Sequence, residues 1–198
     1  IISRNRSHKI NTKYGIKEFK AENYELYCRS KKFVIILKEL EIILGKKVNQ
    51  KYLVPNWIME GEPYTKRLFL AGFFGAELSS PKTHTKTGFY SPILCQNKSV
   101  DLRDNAREFL LQITKLLEEF EIKVNKISEE NEMNNLRFRL IISAEEDNLL
   151  RLYQNIGFEY NIKRQKLSNI ASLYILKKKI VQNERKKISE KIKEYKDK

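Results

Sequence analysis

The sequence predicts an α+β fold in which pairs of short strands alternate with helices along 198 residues. Apolar residues advance by threes and fours through residues 101–120, a period typical of a helix packed on a core. Residues 136–142 alternate instead between apolar and basic side chains, which predicts a half-buried strand with Arg137 and Arg139 on its outer face. These two patterns indicate a helix-backed sheet with a basic surface.

The chain begins with a polar and basic segment, residues 1–14, that shows no clear period. Residues 16–19 and 24–29 are expected to form the two short strands of a hairpin. Ser30 is well placed to cap a helix from Lys31 to about Leu44, because a serine hydroxyl satisfies free N–H groups at a helix start.

Gly45 is expected to close that helix, and residues 46–63 read as an extended linker with two prolines. Residues 83–98 predict a second hairpin with a turn at residues 85–88, where Pro92 favours a sheet edge or a bulge.

The last third of the chain predicts one more hairpin, formed by residues 122–128 and 136–142 around an acidic, asparagine-rich loop. Ser143 has capping-box spacing and should start a helix that runs to Asn155 and ends at Gly157. From about Lys163 the chain is expected to be helical and increasingly charged.

The composition points to an anionic partner, since 39 Lys and Arg face 25 Asp and Glu, a net charge of +14 with a sequence pI near 9.6. Nucleic acid is the leading candidate and a membrane surface is the alternative. No apolar run approaches the ~20 residues of a spanning helix, and no signal peptide is evident. Cys28 and Cys95 are expected to be reduced thiols of an intracellular, cytoplasmic protein.

The stretch 67–81 is the one around which the rest of the chain can be organised. Four small residues, Ala71, Gly72, Gly75 and Ala76, form one bare face if the stretch is helical, which would let a second helix approach closely. Glu77 stands where the apolar run stops. The alternative is an ordinary core helix whose glycines relieve crowding and whose Glu77 is a solvated cap.

The stretch Leu70-Ala71-Gly72-Phe73-Phe74-Gly75-Ala76-Glu77-Leu78 resembles the signature helix of the LAGLIDADG homing endonucleases. Val54-Pro55-Asn56-Trp57-Ile58 and Ile156-Gly157-Phe158-Glu159-Tyr160-Asn161 are similar to phrases of the archaeal and intein-associated branch of that family. Gly75 and Leu78 depart from the usual signature.

The resemblance implies a LAGLIDADG-like α+β fold with one complete αββαββα repeat over residues 63–162. Residues 1–62 would be a partial first repeat, and residues 163–198 a basic C-terminal helix and tail. The pattern of hairpin, serine, helix and glycine recurs at residues 16–45 and 122–157, although chance similarity is an alternative. On this view the first signature helix is missing and is supplied by an upstream segment or a second chain.

The resemblance also assigns a site. Glu77 would be the catalytic acid and the ligand of Mg²⁺ or Mn²⁺, since phosphodiester hydrolysis uses a hard divalent cation held by carboxylate oxygen. Gln96 would position water and Lys163 would be the active-site lysine. Lys98, Arg164 and Lys166 are alternatives for that lysine.

The implied partner is double-stranded DNA, bound by polar and basic residues on the strands and turns. The candidates are Lys82, Thr83, Thr85, Lys86, Tyr90, Lys98, Lys123, Asn125, Arg137 and Arg139. The expected function is therefore site-specific, metal-dependent cleavage of double-stranded DNA. The alternatives are a DNA-binding protein of the same fold without cleavage and an RNA-binding helper of intron splicing.

Overall fold

The computed structural model describes residues 2–25, 28–85, 88–132 and 135–196. They fall into two compact units, Ile1–Ile42 and Ile43–Lys198. Both units combine strands with helices, as the α+β prediction has it. The structure divides the chain after residue 42, whereas the sequence suggested boundaries after residues 62 and 162.

The smaller unit contains one long hairpin and one short helix. Strand β1 (Ile2–Thr12) pairs antiparallel with β2 (Gly15–Glu25), and Gly15 takes the positive φ of 108° that the turn between them requires. Residues 16–19 are strand as predicted, but they run on through the expected turn to residues 24 and 25 in one strand, β2, and residues 28 and 29 are not strand. The prediction was wrong about the pairing, because the partner of β2 is β1, in the segment without a period. An exposed ribbon shows no apolar alternation from which it could be predicted. Leu26 and Tyr27 lie outside the described residues.

Helix α1 (Lys31–Glu39) begins where it was predicted, with the Phe33 N–H donating to the Ser30 hydroxyl at 3.3 Å. It ends earlier than predicted. Glu41 adopts a left-handed φ of 58°, which stops the helix before Gly45 is reached.

The larger unit carries a three-stranded antiparallel sheet in the order β3–β5–β4. Its strands are β3 (Ile93–Ser99), β4 (Val124–Glu132) and β5 (Asn135–Ile142). Its helices are α2 (Asn56–Met59), α3 (Pro63–Glu77), α4 (Arg103–Glu119), α5 (Glu146–Arg151) and α6 (Ile162–Lys196). Two single 3₁₀ turns, Lys47–Asn49 and Val100–Leu102, precede α2 and α4.

The core of this unit lies between the inner face of the sheet and helices α3 and α4. Strand β5 alternates as predicted, with Leu136, Phe138, Leu140 and Ile142 buried and Arg137 and Arg139 on the other face. Helix α4 lies within the predicted 101–120 and buries six of its apolar residues. The two periods of the sequence therefore identify the core correctly.

The hairpin predicted over residues 83–98 is only partly formed. Strand β3 pairs with β5, while the upstream residues make two isolated bridges, Leu78 with Leu94 and Thr83 with Phe89. Pro92 offers no N–H for a ladder, although its carbonyl accepts the Ile142 N–H at 2.9 Å. In the next hairpin, β4 extends to Glu132, so the predicted acidic loop is mostly strand.

The capping box predicted at Ser143 does not form. The Ser143 hydroxyl accepts the Glu145 N–H at 3.3 Å, and Glu145 itself precedes the first turn of α5. Helix α5 continues as one π-helical turn, Leu152–Ile156, and ends at Gly157 with a φ of 73°. The buried Asn148 side chain instead secures this corner by bonding to Lys123 and to the Ser143 carbonyl.

The bare face of α3 is used differently from the prediction, which expected a second helix there. The loop after Gly157 packs against it, and the Glu159 N–H donates to the Ala71 carbonyl at 2.9 Å. A Cβ on Gly75 would lie 2.0 Å from the Glu159 carbonyl oxygen. Gly75 is therefore needed where the loop at Glu159 passes close to α3.

No described helix is long and apolar enough to cross a membrane. Cys28 and Cys95 are both free and exposed.

Candidate functional site

An open groove of about 420 Å³ lies along the outer face of β3 and β5, beside the C-terminal end of α3. Its walls are Lys47, Val48, Glu77, Cys95, Gln96, Asn97, Arg137 and Arg139. The register places Cys95 opposite Arg139 and Asn97 opposite Arg137, so one strand contributes neutral polar groups and the next contributes guanidinium groups. The volume falls within the range of small-ligand pockets.

Glu77 reaches the groove because it is the last residue of α3. Its carboxylate accepts a hydrogen bond of 2.7 Å from the Lys47 ammonium, which leaves the Glu77 side chain 29% exposed. Asn161 and Arg164 donate to the Gly75 carbonyl at 2.8 Å, so amide and guanidinium groups meet the negative end of the helix. The sequence prediction had placed a metal cation at this end.

These groups alone do not make a metal centre. Among the residues that the structure describes, no three His, Cys, Asp or Glu side chains are grouped to hold a metal ion. A divalent cation, with no choice between Mg²⁺ and Mn²⁺, is compatible with Glu77 only if a ligand's own oxygens complete the coordination.

The inner wall of the groove is a buried polar network. The Tyr52 hydroxyl donates to Gln96 Oε1 at 2.6 Å, and burial, reinforced by the charge of Glu77, raises the pKa of Tyr52 to about 12. Lys98 is only 1% exposed, with its ammonium 3.7 Å from the centre of the Tyr52 ring and bonded to the Gln50 carbonyl. Burial lowers the pKa of Lys98 to about 8. Lys98 therefore supports the groove from inside and is not the surface contact that was predicted.

We expect Lys98 to make stability depend on pH. Because the folded-state pKa lies below the ordinary value of 10.5, the unfolded chain binds more protons at alkaline pH, and folding is favoured as the pH rises from about 8 to 10.5. The measurement is urea unfolding of the wild-type protein and the Lys98→Met variant at pH 7 and pH 10. The free energy of unfolding of the wild-type protein, relative to that of the variant, should rise by about 2 kcal/mol between the two pH values. A stability difference that stays constant or falls would contradict this.

The outer wall consists of paired charges. Arg139 donates to Glu130 at 2.6 Å, and Arg137 contacts Glu132; both glutamates belong to β4. The sequence did not single out these glutamates, because an acidic stretch after a strand resembles a loop. Lys47 and Asn97 were also missed, although Asn97 shares the face of Cys95 by simple strand alternation.

The other predicted site residues lie outside the groove. Lys163 is exposed in the first turn of α6, and Lys166 is exposed on the next turn. Lys123 and Asn125 line a separate cavity of about 550 Å³ together with Glu118, Glu121 and Glu145.

The loop before β3 holds the remaining candidates. Lys82 lies 5.6 Å from the Tyr90 ring centre, Tyr90 is 49% exposed, and Thr83 and Thr85 are exposed. Lys86 is outside the described residues. Of the predicted binding residues, the groove brings together Arg137 and Arg139, beside Glu77 and Gln96.

The fold and the groove thus define a class: a basic α+β domain whose sheet carries an open groove lined by Lys47, Arg137 and Arg139 beside Glu77. No protein-family model matches the chain, and no solved structure matches it. The LAGLIDADG-like repeat architecture therefore stays a prediction.

Curated relatives exist. The chain is similar to the tRNA-splicing ligase RtcB of Pyrococcus furiosus, with 37% identity over 188 residues that make up 94% of this chain and 19% of that protein. The RtcB ligase of Methanopyrus kandleri is 34% identical over 190 residues, again 94% of this chain and 19% of the relative. The chain spans about a fifth of the length of these curated relatives.

Similar stretches also occur in proteins with other names. The replication factor C small subunit of Methanocaldococcus jannaschii is 32% identical over 166 residues, which are 81% of this chain and 8% of that protein. The RNA polymerase subunit Rpo1N of the same organism is 28% identical over 160 residues, 80% of this chain and 12% of the subunit.

These names contradict the expected membership of the LAGLIDADG homing endonuclease family, because the more similar relatives are named tRNA-splicing ligases. The same names contradict the expected cleavage of double-stranded DNA and the expectation of duplex DNA as the partner. A second signature helix from an upstream segment or another chain was implied only by that family.

Proposed function

We propose that this chain is an RNA-binding module of larger nucleic-acid-processing proteins, and that it holds RNA in the groove on its sheet. The observation that carries the proposal is the juxtaposition of Arg137 and Arg139 with the amide of Asn97, which lies opposite Arg137 on the same face of the sheet. Guanidinium groups suit phosphates, whereas amide groups can bond to the edges of unpaired bases.

The relatives support RNA as the ligand. The more similar proteins are named tRNA-splicing ligases, and the net charge of +14 suits any strand of phosphates. Of the functions weighed from the sequence, the RNA-binding splicing helper agrees best with these names.

The proposal assigns binding and not ligation to this stretch. Similar stretches occupy between 8% and 20% of proteins that carry three different names, so a property common to those proteins explains their presence better than one named activity does. Binding nucleic acid is such a property. A cytoplasmic location goes with this proposal, in keeping with the two free thiols.

A divalent cation would be shared between Glu77 and RNA phosphates. Its chemistry there would be neutralisation of phosphate charge, and we propose Mg²⁺, with Mn²⁺ as the alternative, because carboxylate and phosphate oxygens are hard ligands. Lys47, which donates to Glu77 in the structure, would compete with such an ion for this carboxylate.

Competition binding tests the proposal. A fluorescent RNA hairpin with an unpaired loop is bound to the protein at about 0.15 M salt, and unlabelled RNA hairpin, duplex RNA, single-stranded DNA and duplex DNA of matched length compete for it. We expect the RNA hairpin to compete about tenfold better than duplex DNA, since only RNA offers both unpaired bases and 2′-hydroxyls.

Each competitor answers a different question. Comparing the RNA hairpin with single-stranded DNA of matched sequence measures the contribution of the 2′-hydroxyl groups. Comparing it with duplex RNA measures the contribution of unpaired bases. Equal or stronger competition by duplex DNA would overturn the assignment of RNA.

A further inference from the structure

We propose that Glu130 and Glu132 determine which ligands enter the groove, because they occupy Arg137 and Arg139 until RNA phosphates displace them. This inference rests on the proposed function and adds the residues that set its selectivity. The free protein would thus hold its phosphate-binding groups in a neutralised state.

The pairing is diagonal across two neighbouring strands. The register sets Arg137 opposite Glu130 and Arg139 opposite Ser128, yet Arg139 bonds to Glu130 and Arg137 contacts Glu132. Each arginine therefore reaches past its opposite neighbour toward the next carboxylate along β4. This arrangement draws both guanidinium groups toward β4 and leaves the β3 side of the groove open.

The contacts are exchangeable. The two arginine side chains are 35% and 31% exposed, and those of Glu132 and Glu130 are 38% and 51% exposed. Ion pairs in contact with water contribute little net stability, so displacing them costs little. Glu132 Oε2 is shielded from solvent and accepts no hydrogen bond from any residue that the structure describes, so this carboxylate is incompletely satisfied.

The chemistry favours phosphate as the displacing group. Carboxylate and phosphate offer a guanidinium the same pair of acceptor oxygens, but phosphate diesters arrive in series along a strand. Arg137 and Arg139 stand two residues apart, a distance of about 7 Å along β5, so both can be engaged by one polyanion. A single weak anion must compete with a tethered carboxylate, whereas a strand displaces both at once.

The test is the double substitution Glu130→Gln with Glu132→Gln, which removes both competing charges and keeps the side-chain size. Its control is Glu129→Gln with Glu145→Gln, which removes the same number of negative charges. Glu129 belongs to the same strand but pairs with Arg103 of α4 at 2.8 Å, and Glu145 lines the other cavity with Lys123. Neither control residue lines the groove.

We expect the Glu130 and Glu132 pair of substitutions to tighten binding of the RNA hairpin about fivefold at 0.1 M salt, and the control pair to change it less than about twofold. The selectivity of this variant for RNA over small anions should fall in parallel, so that single phosphate anions compete with the RNA hairpin. An equal gain in both double variants would show a general charge effect and overturn the inference, and so would no gain in the first.

Inorganic tripolyphosphate separates this inference from the RNA assignment. Its titration is followed by the side-chain N–H signals of Arg137 and Arg139 in NMR spectra, and it should bind more tightly to the first double variant than to the control. If tripolyphosphate binds the first double variant more tightly while the protein shows no preference for RNA over DNA, then displacement of the glutamates is supported and RNA as the ligand is wrong. If the arginine signals do not respond in either variant, the displacement is wrong.

Discussion

Replacing Gly75 with alanine should destabilise the larger unit by about 3 kcal/mol, because the new Cβ would lie 2.0 Å from the Glu159 carbonyl oxygen. That oxygen belongs to backbone, which cannot swing away as a flexible side chain could. For a chain of this size the melting temperature should fall by about 6–12 °C. Thermal unfolding followed by circular dichroism measures the change.

Gly72→Ala is the matched control, one turn earlier on the same helix. Its Cβ would meet nothing nearer than the Tyr160 ring at 3.9 Å, an ordinary contact. Alanine is the better helix former by about 1 kcal/mol, so this variant should be unchanged or more stable. Similar losses of stability in both variants would mean that the approach of residues 158–161 to α3 is not the reason why position 75 requires glycine.

The Gly75 variant also tests how the groove is built. Asn161 and Arg164 both donate to the Gly75 carbonyl, two residues before Glu77. A displaced loop would remove these bonds and shift the end of α3. We therefore expect weaker RNA binding by the part of the Gly75→Ala population that remains folded.

The second large effect is expected at the arginines. Arg137→Gln with Arg139→Gln should weaken RNA binding at least tenfold at 0.1 M salt, because two phosphate contacts are lost and two glutamates are left unpaired. The slope of log affinity against log salt should become shallower by about 1.4, or 0.7 for each lost contact with a single strand. Fluorescence anisotropy at several salt concentrations measures both quantities.

The control for charge is Lys115→Gln with Lys123→Gln, two exposed lysines that do not line the groove. It removes the same net charge and should change affinity only slightly. Comparable losses in the two double variants would mean that RNA is attracted by the overall charge and has no defined place in the groove. Adding Glu130→Gln and Glu132→Gln to the arginine variant should recover the part of the loss that is due to unpaired carboxylates.

Regular elements with a strong period could be predicted from the sequence. Helix α4 and strand β5 carry their burial pattern in their apolar spacing, since a helix repeats every 3.6 residues and a strand every two. The N-cap at Ser30 was predictable because a cap depends only on a residue type and the N–H groups of the next turn. The hairpin β1–β2 was not, because an exposed ribbon of polar and basic residues has no core to impose a pattern.

The candidate site was only half visible from the sequence. Glu77 and Gln96 were picked out by a family resemblance that the names of the relatives contradict, and the structure nevertheless places both in one groove. Lys98 looked like one more surface lysine of a basic chain, yet it is buried against Tyr52. Which of many lysines faces inward depends on contacts 46 positions apart in the chain, and spacing does not encode them.

The sequence by itself determined the α+β class, the core-facing sides of α4 and β5, the strong positive charge, and the small residues that let another segment approach α3. Only the tertiary structure decided what occupies that bare face, and which charges neutralise the arginines. The physical reason is range: period and capping act over a few residues, whereas the contacts of Gly75 with Glu159 and of Arg137 with Glu132 depend on how distant segments pack and how strands register.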